Sequence, residues 1–297
     1  MLSSCDLSLI RSRGYCFQHA VALHALTDGE PFIRDAFVVY WDGRRMLVCG
    51  YALDARGRSD EQRIGAVIRH CLTEWLVEVL WYTGPQRISL RRLGIAAFRV
   101  VETIAPQPLD SEMLVDCTEE LRSERVQRWL RSSLARAFDT VCKPKLVLTS
   151  EHYRLLESFF SSREKTEFLL NLAVQVLALA ANGSAQWFEV WYKNKLVGLA
   201  ATMDSFGDTD IAVFACSDRC VKGSADVLHA AMRETTRRNG KRFLNLGSSP
   251  YKGHYAFKRK WGGSPQHPPP WWQVWATGEL ANRSFDGWPS RIFGIPR

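Results

Sequence analysis

The sequence contains Phe243-Leu-Asn-Leu-Gly247, then a short loop with a proline, then Gly253-His-Tyr-Ala-Phe-Lys-Arg-Lys-Trp-Gly262. The first part of this stretch predicts a strand that ends at a glycine, where a backbone without a side chain lets a ligand approach closely. The hydroxyls and N–H groups of Ser248 and Ser249 follow directly. We therefore expect a ligand site at the end of this strand.

The basic segment after the loop supplies candidate catalytic groups. We expect Phe257 to anchor the segment in the core while Lys258 points the opposite way. A lysine at this position can stabilise a developing oxyanion or bind a phosphate of a donor, and the alternative is a surface Lys-Arg-Lys run. Tyr255 can protonate a leaving thiolate or hydroxyl, or it can be a packed aromatic.

The residues before this stretch predict the rest of a mixed sheet. Three strands are expected, at Trp187–Tyr192, Leu196–Met203 and Asp210–Cys216. Apolar spacing predicts a helix over about 224–239, and Gly240 stands where a left-handed residue commonly ends a helix.

The N-terminal part repeats this order. An Asp42-Gly43 pair between β-rich runs is a strong hairpin signal. Ser59 and Gln62 form a capping-box pattern before an apolar stripe at helical spacing, and short strands are expected near 80–82 and 97–101. Hairpin, helix and strand thus occur twice. The match of the hairpin at 37–51 with that at 187–203 suggests a duplicated mixed sheet covered by helices.

Between the two halves, residues 103–120 contain proline and acidic residues and are predicted to form a linker. Ser123 can cap a helix whose apolar side carries Val126, Trp129, Leu130, Leu134 and Phe138. Its arginines form either a solvated face or a phosphate-binding face: Arg125, Arg128, Arg131 and Arg136. Two more helices are expected, over about 151–161 and 164–181.

The loop Arg219-Cys-Val-Lys-Gly223-Ser-Ala225 lies between a predicted strand and a predicted helix. Small residues there expose backbone N–H groups at a helix N-terminus, where the helix dipole favours an anion. Arg219 and Lys222 add positive charge, so this loop is a candidate anion site, and the alternative is an ordinary helix cap at Gly223 and Ser224.

Residues expected to bind the other substrate lie on the strands of the same sheet. Asp204 and Glu189 are candidate bases or amine-binding groups, and Trp191 can line a pocket or simply pack against the sheet. The end of the last strand completes this predicted set with Asn245, Gly247 and Ser248. No order typical of a covalent nucleophile stands out.

The composition fits a soluble globular protein with anionic partners and disfavours a disordered chain. The chain has 297 residues, 46% hydrophobic and 24% charged, and a formal net charge of +8, which favours nucleic acid, phosphates or an anionic membrane. Its eight cysteines show neither C-x-x-C pairs nor zinc-ligand spacing, so we expect reduced thiols, no metal and a cytoplasmic location. No apolar run suggests a transmembrane helix and no secretory leader is recognised, so no stable membrane insertion is expected.

The Phe243–Gly262 stretch resembles the C-terminal signature of FemAB/FemX-type and BioF2-like acyltransferases of the GNAT superfamily, in which two GNAT-like halves lie in one chain. Lysyl-phosphatidylglycerol synthases carry a similar ending. The resemblance implies an α/β (α+β) fold with two GNAT-like mixed β-sheets flanked by helices. It implies a degenerate half at 1–110, a catalytic half at 111–297, and a phosphate-binding role for Lys258.

The Arg219–Ala225 loop resembles the GNAT pyrophosphate loop, usually Gln/Arg-x-x-Gly-x-Gly/Ala. Gly223 and Ala225 match its last two positions. The resemblance implies that the donor binds at this loop, through Arg219, Lys222, Gly223, Ser224 and Ala225 together with Phe257. Cys220 stands at its first position, and Arg219 lies one place early. This departure weakens the expectation of ordinary coenzyme A binding.

Three functions remain open. The first is an N-acyltransferase that moves an acyl group from acyl-CoA or another thioester to a small-molecule or peptide amine, without a covalent intermediate or a permanent cofactor. The second is a FemX-like transfer from aminoacyl-tRNA that forms an amide or ester on a small molecule or a peptidoglycan-type precursor. The degenerate loop, the positive charge and the Phe257-Lys258 pair favour this second function, whereas the loop's partial match and the absence of an obvious helical tRNA-binding arm favour the first. The third is a non-catalytic GNAT-like binding module.

Overall fold

The computed structural model describes residues 30–41, 43–54, 61–106, 112–121, 123–161, 185–204, 208–247, 249, 252–265 and 271–278. The chain divides into two compact units, residues 1–111 with 267–297, and residues 112–266. The predicted catalytic half 111–297 differs from this division at its C-terminal end. The strand Trp271–Ala276 pairs within the sheet of the first unit.

A six-stranded sheet in the order β1-β2-β3-β4-β13-β5 forms the first unit. Its strands are β1 (Glu30–Arg34), β2 (Phe37–Trp41), β3 (Arg45–Cys49), β4 (Val79–Gly84), β5 (Arg99–Ile104) and β13 (Trp271–Ala276). Helix α1 (Glu61–Glu74) links β3 to β4, and this pair is the parallel one. The apolar stripe predicted for α1 is largely buried, through Ile64, Val67, Ile68 and Cys71.

A seven-stranded sheet in the order β12-β6-β11-β10-β9-β8-β7 forms the second unit. Its strands are β6 (Met113–Asp116), β7 (Phe138–Lys143), β8 (Ala185–Tyr192), β9 (Lys195–Asp204), β10 (Thr209–Ser217), β11 (Phe243–Asn245) and β12 (Ser264–Pro265). β10 and β11 are parallel, and the other neighbours are antiparallel. The predicted β8–β9 turn contains Lys193 and Asn194, both with positive φ.

Helices cover both faces of the second sheet. Helices α2 (Glu124–Leu130), α5 (Ser224–Arg238) and α6 (Lys252–Lys260) share a buried cluster with Phe188 and Val190 of β8. Helix α4 (Ser150–Ser161) shares a different cluster with Trp187, as expected because successive residues of a strand point to opposite faces. The short helix α3 (Ser133–Arg136) follows α2.

Two local predictions are wrong. Strand β6 lies inside the predicted linker 103–120 and pairs with β11 and β12, which come far later in the chain. The helix capped by Ser123 ends at Leu130, because Ser132 caps a separate short helix and Phe138 begins β7. The predicted helix over 164–181 lies outside the described residues.

The two units repeat one order of strands and helix, as predicted, but the strands that correspond between the units are not the predicted ones. Each unit contains three antiparallel strands, a helix and a strand parallel to the third, namely β1-β2-β3-α1-β4 and β8-β9-β10-α5-β11. The hairpin β2–β3 therefore corresponds to β9–β10 and not, as predicted, to β8–β9. Strand β1, which the sequence pattern did not predict, accounts for the shift.

No described helix is long and apolar enough to span a membrane. The six cysteines within the described ranges are free thiols. In the same ranges, no three His, Cys, Asp or Glu side chains converge in a way that could hold a metal ion.

Candidate active site

Strand β10 extends beyond its pairing with the short β11 and leaves part of its edge without a strand partner among the described residues; we call the space beside this edge the cleft. The two strands pair over three residue pairs, the last being Ile211 with Asn245. β10 then continues to Ser217 along β9, with an irregular register between Ala212 and Phe214. No other described strand pairs with the far edge of β10 at this point. The bulge and this edge therefore present main-chain groups that a ligand can use.

The first unit has the equivalent parallel pair, but its strands stay together. β3 and β4 pair over five residue pairs, and just beyond them Gly50 N–H donates to Thr83 O at 2.6 Å. The Tyr82 ring lies so close to Gly50 and Gly84 that a Cβ on either glycine would overlap it. Of the two parallel pairs in the described parts of the chain, only that of the second unit opens.

The loop after β11 gathers polar groups around Gly247. Gly247 has a φ of 69°, which favours glycine, and nothing lies within 4 Å of where its Cβ would be. Its carbonyl accepts a hydrogen bond from Lys258 Nζ at 3.1 Å. Ser249 is 0% exposed, and its hydroxyl has no hydrogen-bond partner among the described residues. A ligand could approach the backbone at Gly247 and bind the polar groups of Lys258 and Ser249. We therefore regard these three residues as the candidate ligand site.

Asn245, predicted to bind substrate, lies at this cleft but is engaged within the protein. Its Oδ1 accepts from Gly247 N–H at 2.7 Å, and its Nδ2 donates to Glu112 Oε2 at 3.2 Å. The side chain therefore sets the turn that carries Gly247.

Helix α6 buries Lys258 more deeply than Phe257. Lys258 is the buried residue, at 8% exposed, whereas Phe257 is half-buried with its ring 4.7 Å from that of His229. Neighbouring residues of a helix differ by about 100° in direction, so they face different surroundings. Phe257 packs against the core cluster of the second unit, as its predicted anchoring role requires. The prediction for Lys258 differs from the structure, because this lysine is itself buried.

The loop between β10 and α5, predicted to hold the donor, is built on Asp218 and Gly223. Asp218 accepts from Lys195 Nζ at 2.8 Å and from Cys220 N–H at 2.9 Å. The hydrogen bond from Lys195 lowers the pKa of Asp218. Gly223 precedes α5 with a φ of 95°, and the Trp129 ring lies where a Cβ of Gly223 would be.

The predicted donor-binding residues differ in exposure. Arg219 and Lys222 are exposed. Ser224 is buried, and its hydroxyl donates to Asp218 O at 3.1 Å. Ala225 is half-buried. Only the two basic residues are therefore presented to solvent.

The first turn of α5 carries a carboxylate, Asp226. It accepts a hydrogen bond from Trp261 Nε1 at 3.0 Å and pairs with Lys260 Nζ at 2.7 Å, so it ties α5 to the end of α6. This carboxylate already occupies the positive end of the α5 dipole. A pyrophosphate bound at the same helix N-terminus would lie near Asp226, and their like charges disfavour that placement.

His229 lies between α5 and α6. Its Nδ1 donates to Ala225 O at 2.8 Å, which leaves Nε2 unprotonated in the neutral ring. The ring packs against Phe257 and Trp261. Burial lowers the pKa of His229 to about 4, so this histidine is neutral at pH 7.

Glu189 and Trp191 belong to the face of the sheet covered by α4. Glu189 is 1% exposed and accepts from Lys143 Nζ at 2.7 Å, His152 Nε2 at 3.2 Å and Trp191 Nε1 at 2.9 Å. Burial acts to raise the pKa of Glu189, but the hydrogen bonds from Lys143 and Trp191 and the Lys143 charge hold it below its usual value. The structure therefore does not bring this pair to the cleft beside α5 and α6.

The remaining predicted residues are dispersed. Asp204 is exposed at the end of β9, where it pairs with Lys241 Nζ at 2.7 Å, and it faces the start of β10 rather than the loop after it. Tyr255 is half-buried against the apolar core of the second unit. Ser248 lies outside the described residues.

Sequence reasoning missed Asp226, His229 and Trp129 as parts of this region. An acidic residue in a first helical turn is a visible signal, and it was available for Asp226. His229 and Trp129 acquire their places from the packing of α6 and α2 against α5, and a local sequence pattern does not state that packing.

Solved structures share this fold at low sequence identity. FemX has a TM-score of 0.59 at 12% identity, over 90% of this chain and 94% of that chain. A structure described as the DUF2156 C-terminal domain of a lysylphosphatidylglycerol synthetase from Agrobacterium fabrum has a TM-score of 0.56 at 16% identity, over 98% and 97%. L-PGS from Bacillus licheniformis has a TM-score of 0.52 at 13% identity, over 92% and 91%.

No protein-family model matches the chain, and no curated protein matches it. The chain has the predicted fold class, two mixed sheets flanked by helices, and it shares its fold with FemX.

Proposed function

We propose that the protein is an acyltransferase that joins an acyl group to an amine, and that its donor is the aminoacyl ester of a tRNA. The observation that carries the proposal is the group of Gly247, Ser249 and Lys258 beside the open edge of β10. This group offers a close backbone approach, a buried hydroxyl and a cationic donor at one end of one cleft. Acyl transfer needs such groups where charge develops on the carbonyl oxygen.

The reaction balances without an enzyme nucleophile. The neutral amine attacks the ester carbonyl, and a C–N bond forms as the carbonyl oxygen becomes an oxyanion. The bond from carbon to the ribose oxygen then breaks, and the proton lost by the amine ends on that oxygen. Lys258 stabilises the oxyanion or binds the phosphate next to the ester, since both are anionic and within the reach of one lysine.

Two features favour an aminoacyl ester of RNA over a coenzyme A thioester. Asp226 occupies the first turn of α5, with Lys260 and Trp261 already bound to it, so that helix N-terminus is a poor pyrophosphate site. The chain also shares its fold with FemX and with a lysylphosphatidylglycerol synthetase, whose name states an aminoacylated product.

The test is a transfer assay with labelled aminoacyl-tRNA and primary amines of three classes: peptides, amino sugars and aminolipids. We expect protein-dependent movement of label into a base-stable amide. Lys258→Met should lower the rate by about 100-fold or more, the usual cost of one oxyanion-stabilising donor. Lys252→Met is the matched control, because Lys252 is exposed on the same helix, and it should keep the rate. Equal rates in both variants would remove Lys258 from the mechanism.

Transfer from acyl-CoA is the second candidate, and the open β10 edge together with Gly223 and Ala225 favours it. The same assay separates the two, with acyl-CoA as donor and free thiol as the readout. Thiol release without consumption of aminoacyl-tRNA would replace the first proposal by the second. A folded protein that turns over neither donor would support a binding module.

A further inference from the structure

We infer that an arginine surface on α2 and α3 binds the RNA backbone of the donor. The surface consists of Arg125, Arg128, Arg131 and Arg136, and it continues into the loop before α5 through Arg219 and Lys222. It rests on the proposed function in one respect, because that function names an RNA as the molecule that carries the acyl group.

The helix geometry places three of these arginines in one row. Arg125 and Arg128 lie three residues apart on α2, and Arg131 is the C-cap of the same helix. Residues three apart on a helix are surface neighbours, and Val126, which anchors α2 to the sheet, is buried on another side. All four arginines of the surface are exposed. The row is therefore a line of cations that faces solvent.

These arginines differ in their pairing from three exposed arginines on other helices of the same unit. Arg237 and Arg238 of α5 are bound to Glu234, and Arg154 of α4 is bound to Glu151. Within the described residues, by contrast, no carboxylate pairs with any arginine of the surface. Glu124 on α2 and Asp139 on β7 are the nearby acidic residues in sequence, and both are exposed. Unneutralised arginines in a row are what phosphate recognition uses.

Trp129 connects this surface to the candidate active site. It follows Arg128 on α2, and its ring lies against Gly223 in the loop that also presents Arg219 and Lys222. The second unit, residues 112–266, holds 23 Lys and Arg against 17 Asp and Glu, so most of the excess charge of the chain is on the unit with the open cleft. An RNA whose acylated end enters that cleft would therefore have its backbone beside these cations.

Arginine content favours RNA over an anionic membrane as the partner. The four positions of α2 and α3 are all arginine, whose planar fork can bind one phosphate with two hydrogen bonds. Leu134 is the exposed large apolar residue among them, and single exposed apolar residues are ordinary on soluble surfaces.

The experiment compares two double variants with equal change in charge. Uncharged tRNA is titrated onto the full chain at several KCl concentrations. Arg125→Gln/Arg128→Gln should raise Kd by about tenfold or more at 50 mM salt and lower the slope of log K against log salt by about 1.5 to 2, the amount expected for two lost phosphate contacts. Arg237→Gln/Arg238→Gln removes two exposed arginines from α5 of the same unit and should change neither quantity. Circular dichroism confirms that both variants are folded.

Three results would overturn the inference. Equal weakening in both double variants would show a response to net charge alone. Unchanged binding in both would remove the surface from RNA recognition. Loss of binding to vesicles of phosphatidylcholine with phosphatidylglycerol in Arg125→Gln/Arg128→Gln, with tRNA binding kept, would make the surface a membrane contact.

Failure of the surface and failure of the proposed function give different results. If Arg125→Gln/Arg128→Gln transfers aminoacyl groups from low concentrations of aminoacyl-tRNA as well as the unchanged protein does, the arginine surface does not bind the donor RNA, and the proposed transferase function is kept. If the surface binds tRNA as described but no aminoacyl group is ever transferred, the surface stands and the function is wrong.

Discussion

Gly223 shows how one missing side chain shapes the site. Its φ of 95° lies in the left-handed region, and the Trp129 ring occupies the space where a Cβ would be. We expect Gly223→Ala to destabilise the second unit by about 2–4 kcal/mol, the sum of left-handed strain and overpacking. Urea denaturation followed by far-UV circular dichroism measures this change.

Gly240 provides the matched control for that prediction. It also has a positive φ, 74°, but nothing lies within 4 Å of where its Cβ would be. Gly240→Ala should therefore cost only the backbone strain of about 1 kcal/mol. In a Trp129→Ala background, where the clash is absent, Gly223→Ala should likewise cost only about this backbone strain. Equal losses at the two glycines would contradict the contact with Trp129.

His229 makes the stability of the second unit depend on pH. Its pKa is about 4 in the folded protein, against an ordinary value of 6.5. Between these values the unfolded chain binds more protons than the folded one, so stability falls as pH falls from about 6.5 to 4. The expected loss is about 2–3 kcal/mol over this window.

Urea midpoints between pH 7 and pH 4 test the His229 prediction. His229→Gln keeps a donor for the Ala225 carbonyl but does not titrate, so its stability should vary less with pH. A pH profile of His229→Gln that equals that of the natural chain would show that His229 is not the titrating group.

Residue types alone predicted part of the site. Gly247 could be placed because a strand that ends in glycine is a local signal, and the structure gives it a left-handed φ with open space beside it. Phe257 packs against the core as predicted, but Lys258 was expected to point away from it because a charged side chain favours water. A lysine is buried only when a distant group accepts its hydrogen bonds, and the Gly247 carbonyl does so here.

At the scale of elements, α4 depends on one histidine at its start. His152 Nδ1 accepts from Thr149 N–H at 3.1 Å in the manner of a capping box, and its Nε2 lies 3.2 Å from Glu189 Oε1. His152→Ala removes the cap and leaves a buried carboxylate with one partner fewer. We expect a loss of about 2–4 kcal/mol in the free energy of unfolding, measured in urea.

The neighbouring residue is the control for His152. Tyr153 lies on the same turn but is 59% exposed, so Tyr153→Ala should change stability by less than about 0.5 kcal/mol. Comparable losses in the two variants would mean that the first turn of α4 contributes as a whole, and that the link between His152 and Glu189 adds nothing.

Elements with strong local signals were predicted from the sequence, and those fixed by distant partners were not. The β8–β9 hairpin and helix α5 carry alternating or helical apolar spacing, and both are present. Strand β6 has four residues and lies between β11 and β12, so its pairing partners are far away in sequence. The early end of α2 follows from Ser132, whose side chain caps the next short helix in place of continuing the first.

For the whole molecule, the two units show that one topology can give an open or a closed cleft. Both have a strand, a helix and a parallel strand, yet β3 and β4 stay paired where β10 and β11 part. In the first unit the Tyr82 ring lies against Gly50 and Gly84, at the end of the paired segment. The sequence predicted the duplication, and it placed the candidate site in the second half, but the lengths over which the two parallel pairs stay together are set by packing that a local pattern does not state.

Strand β13 comes last among the described strands of the chain, yet it belongs to the sheet of the first unit, and we expect that sheet to need it. β13 pairs with β4 on one side and β5 on the other. Buried Gln273 on β13 accepts from Ile88 N–H at 2.7 Å and donates to Ile88 O at 2.9 Å.

A chain that ends at residue 266 lacks this strand, and it also loses Trp275 from the first core. We therefore expect amide protection in β1–β4 to fall strongly while protection in β8–β10 is kept, as measured by hydrogen exchange with mass spectrometry. Peptides from 185–204 and 209–217 of the same truncated chain are the internal control. Full protection of β1–β4 in that chain would show that the first sheet does not need its central C-terminal strand.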